Sequence, residues 1–188
     1  MNGKQRLRDS NSSFIIYHSS FCIERAIVFQ IKAGFEEQLE VKTTVERARE
    51  FFGDLRNFVE LMPGVESIKQ EAGGVVQWLI RAEIPVIGSV RHAFSVEQTQ
   101  DRPERIEWSP SARESGNFLR YTAAFEQQGA RVLVRIVQRV ELRRQSARDL
   151  HTLAGLVGER RLSAEMQKGI SQMMRTFLQR ARTRLEGK

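Results

Sequence analysis

The feature that most limits how this chain can fold is its last stretch, roughly Arg160 to Leu185. Leu162, Met166, Ile170, Met173, Met174, Phe177, Leu178, Ala181 and Leu185 recur there at spacings of three and four. That places them on one stripe of a helix of about seven turns. Lys168, Arg175, Arg180, Arg182 and Arg184 take the remaining surface. From Leu39 to Leu142 the pattern is instead that of strands with one short helical interruption. A single long amphipathic helix has to bury its stripe, and a sheet is the only large partner on offer.

The strand region is legible by alternation and turns. Leu39, Val41, Thr43 and Val45 alternate with polar residues, as in a half-buried strand. Thr43 and Glu46 have capping-box spacing, so a helix is expected from there to about Phe52, with Gly53 stopping it. Asp54 caps a second short helix, Leu55 to Leu61, which Pro63 ends. Six strands follow: Val65–Glu71, Val75–Ile84, Ser89–Gln100, Arg105–Ser111, Asn117–Gln127 and Arg131–Leu142. Their connections are two to six residues long, which predicts an antiparallel meander. One face of it carries Trp78, Ile80, His92, Phe94, Trp108, Tyr121, Ile136 and Gln138, while the opposite face carries Arg81, Arg91, Glu107, Arg120, Arg135 and Arg139. One side is dry and aromatic, the other wet, and the terminal helix is expected across the dry side. Between sheet and helix, Ser146 and Asp149 again have capping-box spacing, which predicts a helix over 147–156. Residues 1–34 read as an N-terminal extension without a function of its own, ahead of a domain spanning 35–188.

Composition narrows the class. With 40% hydrophobic content over 188 residues, the chain can build one sizeable core. No apolar run approaches the roughly 18 residues that a membrane span needs, and the reading is a cytoplasmic protein. One cysteine and three scattered histidines give neither a disulfide nor a metal-ligand pattern, so no metal and no cofactor are expected. The net charge of +7 is uneven: residues 143–188 hold 11 Lys/Arg against 4 Asp/Glu, whereas residues 35–142 hold 14 against 17. The positive potential thus sits on the terminal helix, a surface that anionic lipid or RNA can contact, although a solvated helix face is the plainer reading.

The order of strand, two short helices, six strands and long terminal helix resembles the START-like (SRPBCC, helix-grip) superfamily, including its polyketide cyclase/dehydrase and coenzyme Q-binding groups. The likeness is carried by Thr44 to Val65, with Phe51-Phe52, Asp54, Phe58 and Met62-Pro63-Gly64, and by Ile106-Glu107-Trp108 after a proline turn. It covers about residues 37–185. It implies an α+β helix-grip fold, a curved antiparallel sheet wrapped around the C-terminal helix, with an apolar cavity between them. The superfamily uses that cavity for many ligands, so fold alone does not name an activity.

Ligand cavities are mostly apolar with a few convergent polar groups. The inward-facing candidates here are Trp78, His92, Phe94, Trp108, Tyr121, Gln138, Met173 and Phe177, with Thr43 near the first strand's end. Several have a plainer reading: the tryptophans and the methionine as core, His92 as a hydrogen-bonded or rim residue. Gln138 stands out because an unpaired buried amide costs on the order of 1–3 kcal/mol and must find a partner. Tyr121, trapped water or a ligand could each supply it. No nucleophile elbow, phosphate loop, dinucleotide fingerprint or Cys/His pair is present, and no residue is assigned a catalytic role. The leading expectation is a non-enzymatic carrier or sensor for a hydrophobic small molecule such as a lipid, quinone or polyketide-like compound. An alternative is a cyclase/dehydrase using His92 or Tyr121 for proton transfer. A second alternative is a ribosome- or protein-interaction module working through the basic helix.

Overall fold

The computed structural model describes residues 29–85 and 87–187. Seven strands form one antiparallel sheet: β1 (Phe29–Val41), β2 (Val65–Gln70), β3 (Val75–Ile84), β4 (Gly88–Arg102), β5 (Arg105–Pro110), β6 (Asn117–Gln128) and β7 (Arg131–Arg144). Their order across the sheet is β1-β7-β6-β5-β4-β3-β2. The six later strands are therefore a meander, and the first strand returns to pair with the last. Two short helices, α1 (Val45–Gly53) and α2 (Leu55–Leu61), sit between β1 and β2; α3 (Ala154–Val157) and the long α4 (Glu159–Leu185) follow the sheet. This is the START-like helix-grip fold.

Three local expectations are corrected. The first strand begins at Phe29, so residues 29–34 belong to the sheet; the rest of the expected extension lies outside the described residues. Phe29, Ile31, Ala33 and Phe35 are all buried, and they continue the inward phase that Val41 ends. The helix after β1 is capped by Thr44, not Thr43: the Thr44 hydroxyl accepts from Arg47 N at 3.3 Å. Adjacent threonines offer two candidate caps, and the end of pairing at Val41 opposite Val132 decides between them. The helix expected over 147–156 is only a single tight turn, Ala147–Asp149, and the four-residue α3. The Ser146–Asp149 capping box does form, but His151 Nδ1 takes the N–H of Leu153 and bends the chain between the two pieces. Asp54 caps α2 as the sequence indicates, accepting from Arg56 N at 3.0 Å.

The helix holds the sheet in two ways. Its stripe (Leu162, Ile170, Met174, Phe177, Leu178, Ala181 and Leu185) is buried against the inner face. Its polar flank also clips the free edge of β1. Glu159 Oε1 accepts from Gln30 N at 2.8 Å, Ser163 Oγ from Lys32 N at 3.4 Å, and Gln167 Oε1 from Gly34 N at 2.9 Å. The Gln167 amide also donates to Gly34 O at 2.5 Å. Helix residues four apart meet strand residues two apart, because four helical residues rise about 6 Å, close to the roughly 6.6 Å of two strand residues. An exposed edge is a template for unwanted pairing; the first half of this one, residues 30–34, is covered.

Candidate functional site

The space between sheet and helix is unevenly filled. Toward α1 and α2 it is packed with rings: Phe58 stacks on Phe177 with centroids 4.7 Å apart and meets Trp78 and Tyr121 edge-on at 5.1 and 5.2 Å. Phe51 and Phe52 extend the cluster to Phe177, and Phe52 reaches Phe125. Toward the other end, under the N-terminal half of α4, lies a cavity of about 350 Å³. Its walls are Ile80, His92, Phe94 and Gln138 from the strands and Met166 and Met173 from the helix, with Pro63 and Gly64 at one side. The helix offers Gly169 toward this space, where an added Cβ would meet nothing within 4 Å.

The structure thus divides the eight sequence-derived candidates. His92, Phe94, Gln138 and Met173 line the cavity. Trp78, Tyr121 and Phe177 belong to the aromatic cluster, and Trp108, buried on β5 beside Tyr121, is outside the lining as well. The inward face was read correctly, but which inward residues border open space depends on Phe58, whose ring comes from a separate helix. Sequence reasoning also passed over Gly64, Glu165, Gly169, Gln172 and Thr176, which line the cavity's rim. A glycine inside a strong helical pattern at 169 is the one signal that could have marked the place.

Several polar atoms on the inner side have no protein partner: Gln138 Oε1, His92 Nε2, Tyr121 Oη, Trp78 Nε1, Trp108 Nε1 and Thr43 Oγ1. Two of them belong to cavity-lining residues, Gln138 and His92. Gln138 and Tyr121 are direct cross-strand neighbours, yet their side chains do not close a hydrogen bond with each other. Burial, and secondarily the nearby Arg144 cation, lowers the His92 pKa to about 4, so its imidazole is neutral at neutral pH. Burial also raises the Tyr121 hydroxyl well above its ordinary range, and it stays a phenol. Arg144 is held by Asn117 Oδ1 at 2.6 Å and Gly116 O at 3.1 Å. Of the charged residues in the lining, Arg81 and Glu83 have exposed side chains, and the more buried Glu165 pairs with Lys168 at 2.9 Å.

Gly64 fixes one side of the opening. Its φ of +84° is left-handed, its carbonyl accepts from Arg81 N at 2.8 Å, and a Cβ there would lie 2.6 Å from Arg81 O. Only glycine allows this close approach of the α2–β2 turn to β3.

No protein-family model matches the chain, and no curated protein matches it by sequence. Solved structures do resemble it. The di-domain aromatase/cyclase StfQ of the steffimycin biosynthetic pathway superposes with a TM-score of 0.59 at 13% identity, over 84% of this chain and 51% of that one. The chain therefore spans about half of that two-domain protein. The Zhui aromatase/cyclase from Streptomyces sp. R1128 gives a TM-score of 0.56 at 13% identity, covering 81% of this chain and 95% of the other. A conserved protein from Geobacillus kaustophilus gives 0.54 at 12% identity over 80% and 95%. At these identities the likeness establishes the helix-grip fold and leaves the chemistry to the site. No helix among the described residues is long and apolar enough to cross a membrane.

Proposed function

We propose that the chain binds a hydrophobic small molecule in the cavity beneath α4, as a carrier or sensor. The observation that carries this reading is the cavity itself: about 350 Å³, walled by Ile, Val, Phe and Met side chains, and bordered by two residues whose buried polar atoms lack a protein partner. A void of this kind loses packing contacts on every wall, and an occupant restores them. Native mass spectrometry of the protein from its own host tests the reading. A co-purified lipophile is expected, and it should be lost when Gly169→Phe places a ring in the rim. Protein that emerges empty, and that no lipophilic compound stabilises against heat, leaves the reading without support.

Cyclase/dehydrase chemistry in the same cavity is a second reading, favoured by one observation. His92 presents a neutral imidazole, with Nε2 free of protein partners, on the cavity wall, which is the form that accepts a proton. Its lowered pKa makes it a weak base. Turnover of a bound compound that disappears in His92→Gln while binding persists would move the protein into this class. The basic helix gives less support to an interaction module, because its arginines serve the fold: Arg175 pairs with Glu37 at 3.3 Å, Arg184 with Glu60 at 3.3 Å, and Arg180 donates to Leu61 O at 2.9 Å.

A further inference from the structure

The outer face of the sheet carries a group of cations that neither the core nor the cavity uses. Arg139 on β7 is exposed and makes no ion pair or hydrogen bond with any described residue. Directly opposite it on β6 stands Arg120, and directly opposite it on β1 stands Gly34, which brings no side chain. Lys32, two residues before Gly34, lies on the same face, and its ammonium is also unpaired among the described residues. Side chains directly across a ladder start about 5 Å apart, and diagonal ones about 7–8 Å apart. Long chains at these three positions therefore reach one common point over Arg139. All three line one concavity of about 490 Å³, to which Phe118 and Pro110 add apolar surface.

Like charges directly across a ladder destabilise it, and the sheet does little to relieve this pair. Among the described residues, Arg120 has one ion pair, a long contact of 4.0 Å to Glu107. Glu107 is already held by Arg105 at 2.7 Å. Glu141, opposite Lys32, is taken by Arg143 at 2.5 Å and by Gln30. Glu36, next after Gly34 on this face of β1, pairs with none of the three. We infer that this concavity binds a phosphate monoester, its dianionic group between Arg139, Arg120 and Lys32 and its organic part against Phe118.

Charge and geometry select that class. A phosphate monoester carries about −1.5 to −2 charges at neutral pH and three strong acceptor oxygens, which suits three cations set around one point. A carboxylate brings one charge and is satisfied by a single guanidinium fork. The cations also form a spot and not a stripe. Glu36 and Glu40 follow on β1, and Glu126 on β6, so a polyanion lying along the strands would soon meet carboxylates. The Arg143 guanidinium sits 4.2 Å from the Phe118 ring centroid, and the rest of the ring borders the concavity. An ester's apolar body can rest there.

Calorimetric titration of the full chain tests this at neutral pH and about 0.05 M salt, where screening reaches beyond 10 Å. The probes are phenyl phosphate, inorganic phosphate and benzoate. Phenyl phosphate is expected to bind tightest, inorganic phosphate more weakly, and benzoate at least about tenfold more weakly than phenyl phosphate. Arg139→Gln and, independently, Arg120→Gln should weaken phenyl phosphate about tenfold, the worth of one charge-assisted hydrogen bond. Arg139→Lys should recover part of that loss, because it keeps the charge without the fork. Arg135→Gln, on the same strand and face but outside the concavity, should change nothing. With the like-charge pair relieved, the unliganded melting temperature of the Arg139 and Arg120 variants should hold or rise.

No binding of either phosphate overturns the inference, as does benzoate binding as tightly as phenyl phosphate. Equal losses in Arg135→Gln and Arg139→Gln overturn it in favour of a general surface charge. Inorganic phosphate as tight as phenyl phosphate overturns the monoester and leaves free phosphate as the occupant. Short single-stranded DNA that binds more tightly than phenyl phosphate, and is lost in Arg139→Gln, overturns it in favour of a nucleic-acid face. The site lies across the sheet from the cavity beneath α4, so each of these outcomes leaves cavity binding untouched.

Discussion

The two ends of the space under α4 share one sheet and one helix, yet one is solid and the other hollow. At the solid end, Phe51, Phe52 and Phe58 from the short helices meet Phe125 and Phe177 ring to ring. At the hollow end nothing plays the part of α1 and α2: α4 presents Gly169 and flexible methionines to Ile80, His92 and Gln138. A curved sheet around one helix encloses more volume than their own side chains fill. The added helices decide where that surplus is used up and where it is kept. Stability should therefore reside at one end and binding at the other.

The largest expected effect tests the solid end. Phe177→Ala removes a fully buried ring stacked on Phe58 and should cost roughly 3–5 kcal/mol in chemical denaturation. Phe94→Ala, whose ring already borders empty space, should cost clearly less. Equal losses would erase the distinction between the two ends.

Next in size is a pH effect confined to the hollow end. The folded pKa of His92, about 4, lies below its ordinary 6.5, with burial the main cause and Arg144 the second. Between these values the unfolded chain binds the proton and the folded chain does not. Stability is then complete above about pH 6.5 and falls as the pH drops toward 4, by on the order of 2–3 kcal/mol. Urea unfolding across this range should show that slope in the wild type and lose most of it in His92→Phe. An unchanged slope would place the titration elsewhere.

Gly64→Ala tests the rim between the ends. The left-handed φ and the 2.6 Å approach to Arg81 O predict a loss of about 1–3 kcal/mol, read as a lower melting temperature. A neutral result would mean that the turn can move off β3.

The smallest expected change is Gln138→Leu without ligand. Because Oε1 has no protein partner, removing the amide strands nothing, and the unfolding free energy should stay level or rise by up to about 1 kcal/mol. A clear loss would reveal a closed polar network with Tyr121 and make the hollow end a structural one.

Much of this architecture could be read directly from residues. The strands Val75–Ile84 and Arg131–Arg144 announce themselves through strict alternation, and α4 through its stripe; both are local periodicities, which need no knowledge of the partner. Asp54 and Gly53 mark helix ends by the same local logic. The start of β1 was less legible. Gly34 and the run of glutamates after it weaken the alternation, and the strand is held by its register on β7 and the polar clips from α4. The site was legible as a face but not as a place. Alternation puts Trp78, His92, Tyr121 and Gln138 on one side of the sheet, and only the position of Phe58 separates those sealed into the core from those bordering the cavity.

The sequence by itself determined which residues turn inward and that a long helix must cover them, because the periods of strand and helix are properties of the local backbone. Where the enclosed volume stays empty was decided by tertiary structure alone. An unfilled space is a relation among side chains from β3, β4, β7, α2 and α4, which lie far apart along the chain, and no single segment carries it.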